Sequence, residues 1–387
     1  MLIRFITRSA SETFHQKKPS EKEGFFAFFL LFLHRLVPKR KDGENMQKFR
    51  AAVIAATLAI MFFIPMSVMG EYEDLLPKEE IPKEENREEQ NEAPIYEESS
   101  EEVASEEYFR IFDMESEKIS EVPYSDYVKG AIASEMGADF EFEALVAQGV
   151  AAFSCGLYQK NARRGADYDI SAAPDKKLGY MTEEKAKEVY GSAFEEKWKI
   201  ISSAAEKAMK YVLTYEGEPA LAVYHAVSCG KTENSENVWN GAIPYLVSVE
   251  SEGDKFYSDY ESIVTVDKKT ALDLLNKNGA ALNGKYPEEW FDGAVFTEAG
   301  YVDNIKIGAA TFSGEKLRNL FGLRSSSFGV EYKKGEFVFT VRGYGHGVGM
   351  SQVGANYMAK NGADFREILL HYYPGTEILE YGEVCGK

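Results

Sequence analysis

The strongest apolar signal in the chain is Ala51–Met69, AAVIAATLAIMFFIPMSVM, which holds no charged residue. Its length matches the roughly 20 residues an α-helix needs to cross a hydrocarbon core. Lys39, Arg40, Lys41, Lys48 and Arg50 precede it and an acidic stretch follows. This asymmetry predicts a transmembrane helix over 51–70, with residues 1–50 in the cytoplasm and the remainder outside. A cleaved signal peptide is the competing reading, because small residues at Ser67–Gly70 lie near a possible cut site. The apolar run is longer than such a peptide needs, which favours a retained anchor. A second aromatic-rich run, Phe25–Leu33, is too short to span a bilayer. Met46–Arg50 followed by the apolar run reads as a complete start, so translation is expected to begin at Met46.

Beyond the anchor the pattern changes twice. Residues 71–107 are rich in Glu, carry Pro77, Pro82 and Pro94, and have too few apolar positions to fold, so an extended acidic linker is expected. Strand-like alternation begins at Phe109–Phe112. Ser125 and Asp126 could cap a helix running through Tyr127, Val128, Ala131 and Ile132 to Glu135-Met136-Gly137. An Ala-rich helix should follow from about Glu141 to Gln159, and the span Thr182–Thr214 should hold further helix. Short strands are expected at Ala220–His225, Tyr245–Glu250, Ser262–Val266, Val302–Ile307 and Phe337–Arg342. The mixture, without repeats, predicts one large α+β domain over 108–387 rather than regular βαβ alternation.

Charge sharpens this division. The net −19 splits into +6 over residues 1–50, −13 over 71–107 and −12 over 108–387. The folded part has no basic cluster, so nucleic acid is not an expected partner. The hydrophobic fraction of 44% and aromatic fraction of 13% exclude wholesale disorder. Cys155, Cys229 and Cys385 form no CxxC pair and no close Cys/His group, so no metal site is indicated. A disulfide among them would leave one thiol over, and spacing does not say which.

Three segments could carry chemistry. In Lys129–Gly137, Glu135 ends an apolar, small-residue helix. A carboxyl desolvated there would hold its proton near neutral pH, as a general acid must. On composition alone an ordinary exposed helix-end glutamate is the favoured reading. In Val223–Asn234, a β-like run breaks into a polar turn with His225, Ser228, Cys229, Thr232 and Glu233. A Cys229 thiol paired with His225 or His346 would need an orienting group and an oxyanion hole that the sequence does not supply. In Arg342–Gln352, alternating glycines surround Tyr344 and His346. The spacing is not a dinucleotide fingerprint and no GK[ST] follows, so glycines that let backbone approach a ligand or a neighbouring segment are the better reading.

Together these segments resemble the stage II sporulation protein D family of peptidoglycan lytic transglycosylases. The matching pieces stand in the family's order: Tyr127-Val128-x-Gly130 with Ser134-Glu135-Met136, then Glu143-Ala144-Leu145-x-Ala147-Gln148-x-Val150-Ala151-Ala152, then Tyr224–Trp239 with Pro244-Tyr245-Leu246. Gly343–Gln352 with Gly354-Ala355, and the closing Tyr372-Tyr373-Pro374-Gly375-Thr376, complete the series. The resemblance covers about residues 108–387, and the string GHGVGMSQ is its most specific part.

The resemblance implies a single-pass membrane protein of a Gram-positive, spore-forming cell that cuts glycan strands during engulfment. It implies that Glu135 protonates the oxygen between N-acetylmuramic acid and N-acetylglucosamine, then takes the proton of the muramyl C6 hydroxyl as a 1,6-anhydro ring closes. It implies sugar contacts from His225, Ser228, Thr232, Tyr344, His346, Ser351 and Gln352, and no cofactor. The implied substrate is glycan already stripped of stem peptides by a partner amidase, with membrane-scaffold partners in the same complex. Two other readings remain: a non-catalytic glycan-binding enhancer of an N-acetylmuramoyl-L-alanine amidase, and a structural tether in an envelope complex.

The chain departs from the family at three places. Phe153 replaces an arginine, which puts substrate affinity in question. Cys229 replaces a glycine of a Ser-Gly-Gly turn. Asp169–Tyr180, where some clostridial members hold zinc, contains neither Cys nor His, so no zinc is expected.

Overall fold

A computed structural model of the chain describes residues 107–239 and 241–385. The expected cytoplasmic segment, the start at Met46, the membrane helix over 51–70 and all but the last residue of the acidic linker lie outside the described residues. Within them no helix is long and apolar enough to cross a membrane. The folded part is a mixed helix and short-strand structure, as the α+β expectation holds.

The chain enters through β1 (Tyr108–Asp113), which pairs antiparallel with β2 (Lys118–Pro123) and parallel with β3 (Ile170–Ala172). Strand β2 runs straight into α1 (Tyr124–Glu135), whose N-cap is Pro123. The expected cap at Ser125 or Asp126 is therefore corrected. Both already lie in the first turn, where Asp126 still complements the positive end of the helix dipole. Helix α1 ends where the sequence says it should, because Gly137 adopts φ +76° just beyond Met136.

Helix α2 (Phe142–Ala162) is the axis of the main core. It is buried almost all the way round, as its Ala, Leu and Val content requires. Ser154 Oγ accepts the Leu213 N–H (2.8 Å) and ties α2 to β4 (Tyr211–Tyr215). The span Thr182–Thr214 holds further helix, as expected, and ends in a strand. It holds α3 (Glu183–Tyr190), capped by Thr182, then α4 (Phe194–Ala208), and β4, whose aromatic and β-branched residues suit a pleated sheet. Strand β5 (Glu218–Pro219) completes this hairpin, and β6 (Tyr224–His225) is all that is extended in the expected Ala220–His225 strand. Tyr245–Glu250 forms no continuous strand, only a single antiparallel bridge from Glu250 to Lys231. Two of its amides are taken by loop side chains, Ser248 N by Asn234 Oδ1 and Val249 N by Thr232 Oγ1.

Residues 261–342 form a second packing unit with its own apolar core, built on Leu275, Ile305, Phe312, Leu317, Phe337 and Phe339. It comprises β7 (Glu261–Asp267), α5 (Lys268–Lys277), β8 (Val295–Phe296), β9 (Val302–Ile307), β10 (Ala310–Ser313), α6 (Gly314–Phe321), β11 (Phe328–Lys333) and β12 (Glu336–Arg342). Its strands make two three-stranded antiparallel sheets, β10-β9-β8 and β11-β12-β7. The glycine-rich segment then returns to the main core. There β13 (Met350–Ser351) pairs parallel with β6, placing Ser351 beside His225. Helices α7 (Gln352–Lys360) and α8 (Phe365–Tyr372) and strand β14 (Glu377–Glu380), which joins β4, close the body.

Candidate functional site

Glu135 is the last residue of α1, and Gly130 sets where that helix lies. A Cβ at Gly130 would collide with the Met181 carbonyl, so only glycine lets α1 press against the 179–181 segment. That contact brings Gly179 N–H to the Glu135 carboxyl. From the other side comes Gln352, at the start of α7. Gln352 is itself held, since its Nε2 donates to Gln148 Oε1 of α2 (3.3 Å). Glu135 keeps some surface, yet enough protein surrounds its carboxyl to raise the pKa from the ordinary 4.5 to about 7. Burial is the largest cause, and the hydrogen bonds from Gln352 and Gly179 pull the other way. Such a group holds a proton at neutral pH and can also give it up.

His225 and His346 come together but do different work from an acid or base. Their ring centroids are 5.6 Å apart, and Trp239 lies 5.4 Å beyond His346. His225 Nδ1 meets Val348 O (3.1 Å); burial pushes its pKa down to about 4, opposed by that hydrogen bond and assisted by Arg318. His346 Nε2 donates to Tyr224 O (3.1 Å) while Nδ1 accepts the Val348 N–H (3.1 Å), which fixes one neutral tautomer. Burial, His225 and Arg318 hold it well below its usual range. Both rings are neutral hydrogen-bonding elements that shape the loop. The alternation of glycines in that loop is a requirement: Gly343, Gly345, Gly347 and Gly349 all have positive φ, and a Cβ on Gly349 would strike Val223 O.

Three of the expected sugar contacts are corrected by their burial. Ser228, Thr232 and Ser351 have no accessible surface. Ser228 N and Oγ both donate to Asp254 Oδ2, and Ser351 Oγ donates to Asp254 Oδ1 (2.7 Å) while capping α7 at Gly354 N. Thr232 Oγ1 accepts the Val249 amide. These hydroxyls satisfy backbone and carboxylate groups inside the protein and leave nothing for a ligand. Tyr344 is partly exposed, with the Arg324 guanidinium 4.6 Å from its ring centroid. Asp254 is the residue that sequence reasoning missed. Fully buried, it joins the Ser228 turn to the Ser351 turn.

The thiol reading fails on two counts. Cys229 Sγ is directed to Ala299 O (3.2 Å), and His225 is occupied by Val348. Burial also pushes the Cys229 thiol up, away from the thiolate a nucleophile requires. Cys155 and Cys229 are both free thiols. Phe153 is wholly buried against Phe109, Tyr124 and Tyr381, so the arginine-to-phenylalanine exchange falls in core packing and not on a ligand-facing surface.

The opposed titrations give a testable pH dependence. Glu135 has a raised pKa in the folded state, so its stabilisation is complete below about 4.5 and is lost as pH rises through about 7. His225 has a lowered pKa, so its stabilisation is present above 6.5 and is lost as pH falls towards about 4. The two trends offset each other in the wild type. Glu135→Gln removes one of them, so the variant should gain on the wild type between pH 5 and pH 8 by on the order of 2 kcal/mol, discounted for partial exposure. Thermal unfolding of both proteins at the two pH values measures it. Equal differences at both would show that the Glu135 carboxyl is not desolvated.

A family profile described as stage II sporulation protein matches residues 113–215. The chain is 36% identical over 281 residues to stage II sporulation protein D of Bacillus subtilis, covering 72% of this chain and 80% of that protein. It is 33% identical over 283 residues to the protein of the same name from Bacillus amyloliquefaciens, with the same coverage. A more distant relative is the amidase enhancer of Bacillus subtilis, 25% identical over 313 residues, which span 66% of this chain and 40% of that protein. With identity of this level across most of the chain, it belongs to the stage II sporulation protein D family.

Proposed function

We propose that the protein is a membrane-anchored lytic transglycosylase that cleaves peptide-free peptidoglycan glycan during sporulation, with its folded domain outside the cytoplasmic membrane. The observation that carries this reading is the Glu135 carboxyl, raised to about 7 and flanked by the Gln352 and Gly179 donors. In the first step the Glu135 O–H gives its proton to the glycosidic oxygen as the muramyl C1–O bond breaks. In the second, the Glu135 carboxylate accepts the C6 hydroxyl proton as O6 bonds to C1. The carboxyl is thereby restored and no water is consumed. Because the attacking hydroxyl belongs to the substrate, one carboxyl does what hydrolytic glycosidases divide between two. Gln352 and Gly179 stabilise the charged form that exists between the steps.

Family membership supports a role in sporulation. An amidase that strips stem peptides, and a membrane scaffold that holds both proteins together, are the proposed partners. The likeness to an amidase enhancer favours one alternative, a glycan-binding stimulator of an amidase without catalysis of its own. Mass analysis of products from peptide-free strands treated with the full-length, detergent-solubilised protein separates the two. Fragments lighter than hydrolytic products by one water are expected. Fragments carrying that water would mean hydrolysis. Intact strands, with faster peptide release once an amidase is added, would establish the enhancer.

A further inference from the structure

Gln148 has no accessible surface and sits on α2 among buried Ala144, Leu145, Ala147, Ala151 and Ala152. Its Oε1 accepts from Gln352 Nε2 (3.3 Å), while its own Nε2 meets no partner among the described residues. A buried N–H left unmet is costly, and an apolar side chain of similar size would remove that cost. Packing therefore does not account for a glutamine here, whereas the carbonyl it offers to Gln352 does. Gln352 is 4% exposed, and its side chain also bonds the Glu135 carboxyl. One run of contacts thus joins Gln148 of α2, Gln352 of α7 and Glu135 of α1.

A glutamine amide can turn either end towards a neighbour. An ionised carboxyl needs the N–H end. The same end also leaves an acid's proton free, because an N–H cannot accept it. Gly179 likewise meets Glu135 through its N–H, so both of these groups on the carboxyl are donors. Turned the other way, Gln352 would set its oxygen against Gln148 Oε1 and offer Glu135 an acceptor that competes with substrate. The Gln148 carbonyl opposes that turn. No charge is among the causes of the Glu135 shift, which are burial, Gln352 and Gly179. Asp139 and Glu143, on the adjoining segments, are paired with Lys197 and Lys207. We propose that Gln148 is a positioning residue for Glu135, fixing Gln352 with its N–H on the carboxyl so that the acid's proton is left to the substrate. That this serves glycan cleavage rests on the function proposed above.

The test compares the full-length, detergent-solubilised wild type with Gln148→Met, which is apolar and close in size. The first readout needs no substrate: the titration of Glu135, followed by NMR of isotope-labelled glutamate carboxyls and assigned by its loss in Glu135→Gln. The midpoint should rise above the wild-type value of about 7, since the hydrogen bond favouring the charged form is loosened. The melting temperature should be unchanged or higher. On peptide-free glycan, kcat should fall on the order of tenfold with KM unchanged, because the weakened hydrogen bond meets a charged group and not the bound sugar. Gln148→Glu keeps an acceptor oxygen for Gln352 and should recover most of that loss. In Gln148→Met/Gln352→Leu the midpoint should match that of Gln352→Leu alone, as one residue acts through the other. An unmoved midpoint in Gln148→Met would overturn the proposal whatever the activity, and so would additive shifts in the double variant. A lower melting temperature with an unmoved midpoint would make Gln148 a packing residue. If the wild type releases no anhydro products while the midpoint moves, the catalytic reading fails and the positioning of Glu135 by Gln148 stands.

Discussion

Replacing Glu135 with Gln in the full-length protein is expected to reduce anhydro-product release from peptide-free glycan by at least about 10²-fold, the typical contribution of a positioned acid–base group. The substitution is close to isosteric. Its carbonyl oxygen still accepts from Gln352 and Gly179, so the geometry of the α1 terminus survives. What it removes is the acidic proton and the means of retrieving one. Because the charged carboxyl is held against its preference for water, the variant should unfold no earlier than the wild type at neutral pH. Loss of activity with unchanged stability separates a role in chemistry from a role in folding. Gln352 supplies the internal control. Its hydrogen bond lowers the Glu135 pKa, so Gln352→Leu should move the activity profile to higher pH. Activity of Glu135→Gln within threefold of wild type would remove this carboxyl from the reaction.

What the sequence revealed about this site was local, and what it concealed was tertiary. The end of α1 was legible because Gly137 is a chain signal: a left-handed residue after a helical run stops the helix wherever it sits. The glycine loop was legible for a similar reason, as no other residue tolerates so many positive φ values in alternation. The roles of Ser228, Thr232 and Ser351 were not. A serine in a polar turn looks the same in sequence whether its hydroxyl faces a sugar or a buried carboxylate. Burial decides, and burial depends on Asp254, which lies 26 residues from Ser228 and 97 from Ser351. Nothing around Glu252-Gly253-Asp254 marks it in the sequence. The missing Tyr245–Glu250 strand has the same origin, because Thr232 and Asn234 take the amides a neighbouring strand would have bound.

Asp254 is for that reason the position where a single change should cost the fold most. Its carboxylate accepts from Ser228 N (2.9 Å), Ser228 Oγ and Ser351 Oγ (2.7 Å), all without surface exposure. Truncation to Ala would leave buried donors without acceptors and open a void between the two turns. At about 1–3 kcal/mol for each unsatisfied group, and with hydroxyls free to turn elsewhere, a loss of about 3–5 kcal/mol is expected. For a domain of this size that lowers the melting temperature by roughly 10 °C. Asp254→Asn should fall between the two, because its amide keeps one acceptor oxygen but turns an N–H towards the Ser228 donors. The damage should also reach the chemistry. Ser351 caps the helix that begins with Gln352, so a loosened Ser351 lets Gln352 drift from Glu135. Activity of Asp254→Ala should then drop, and its pH profile should move up, even well below the melting temperature. A stable Asp254→Ala protein with a wild-type profile would show that the two turns hold each other without this carboxylate, and that Gln352 is positioned by Gln148 alone.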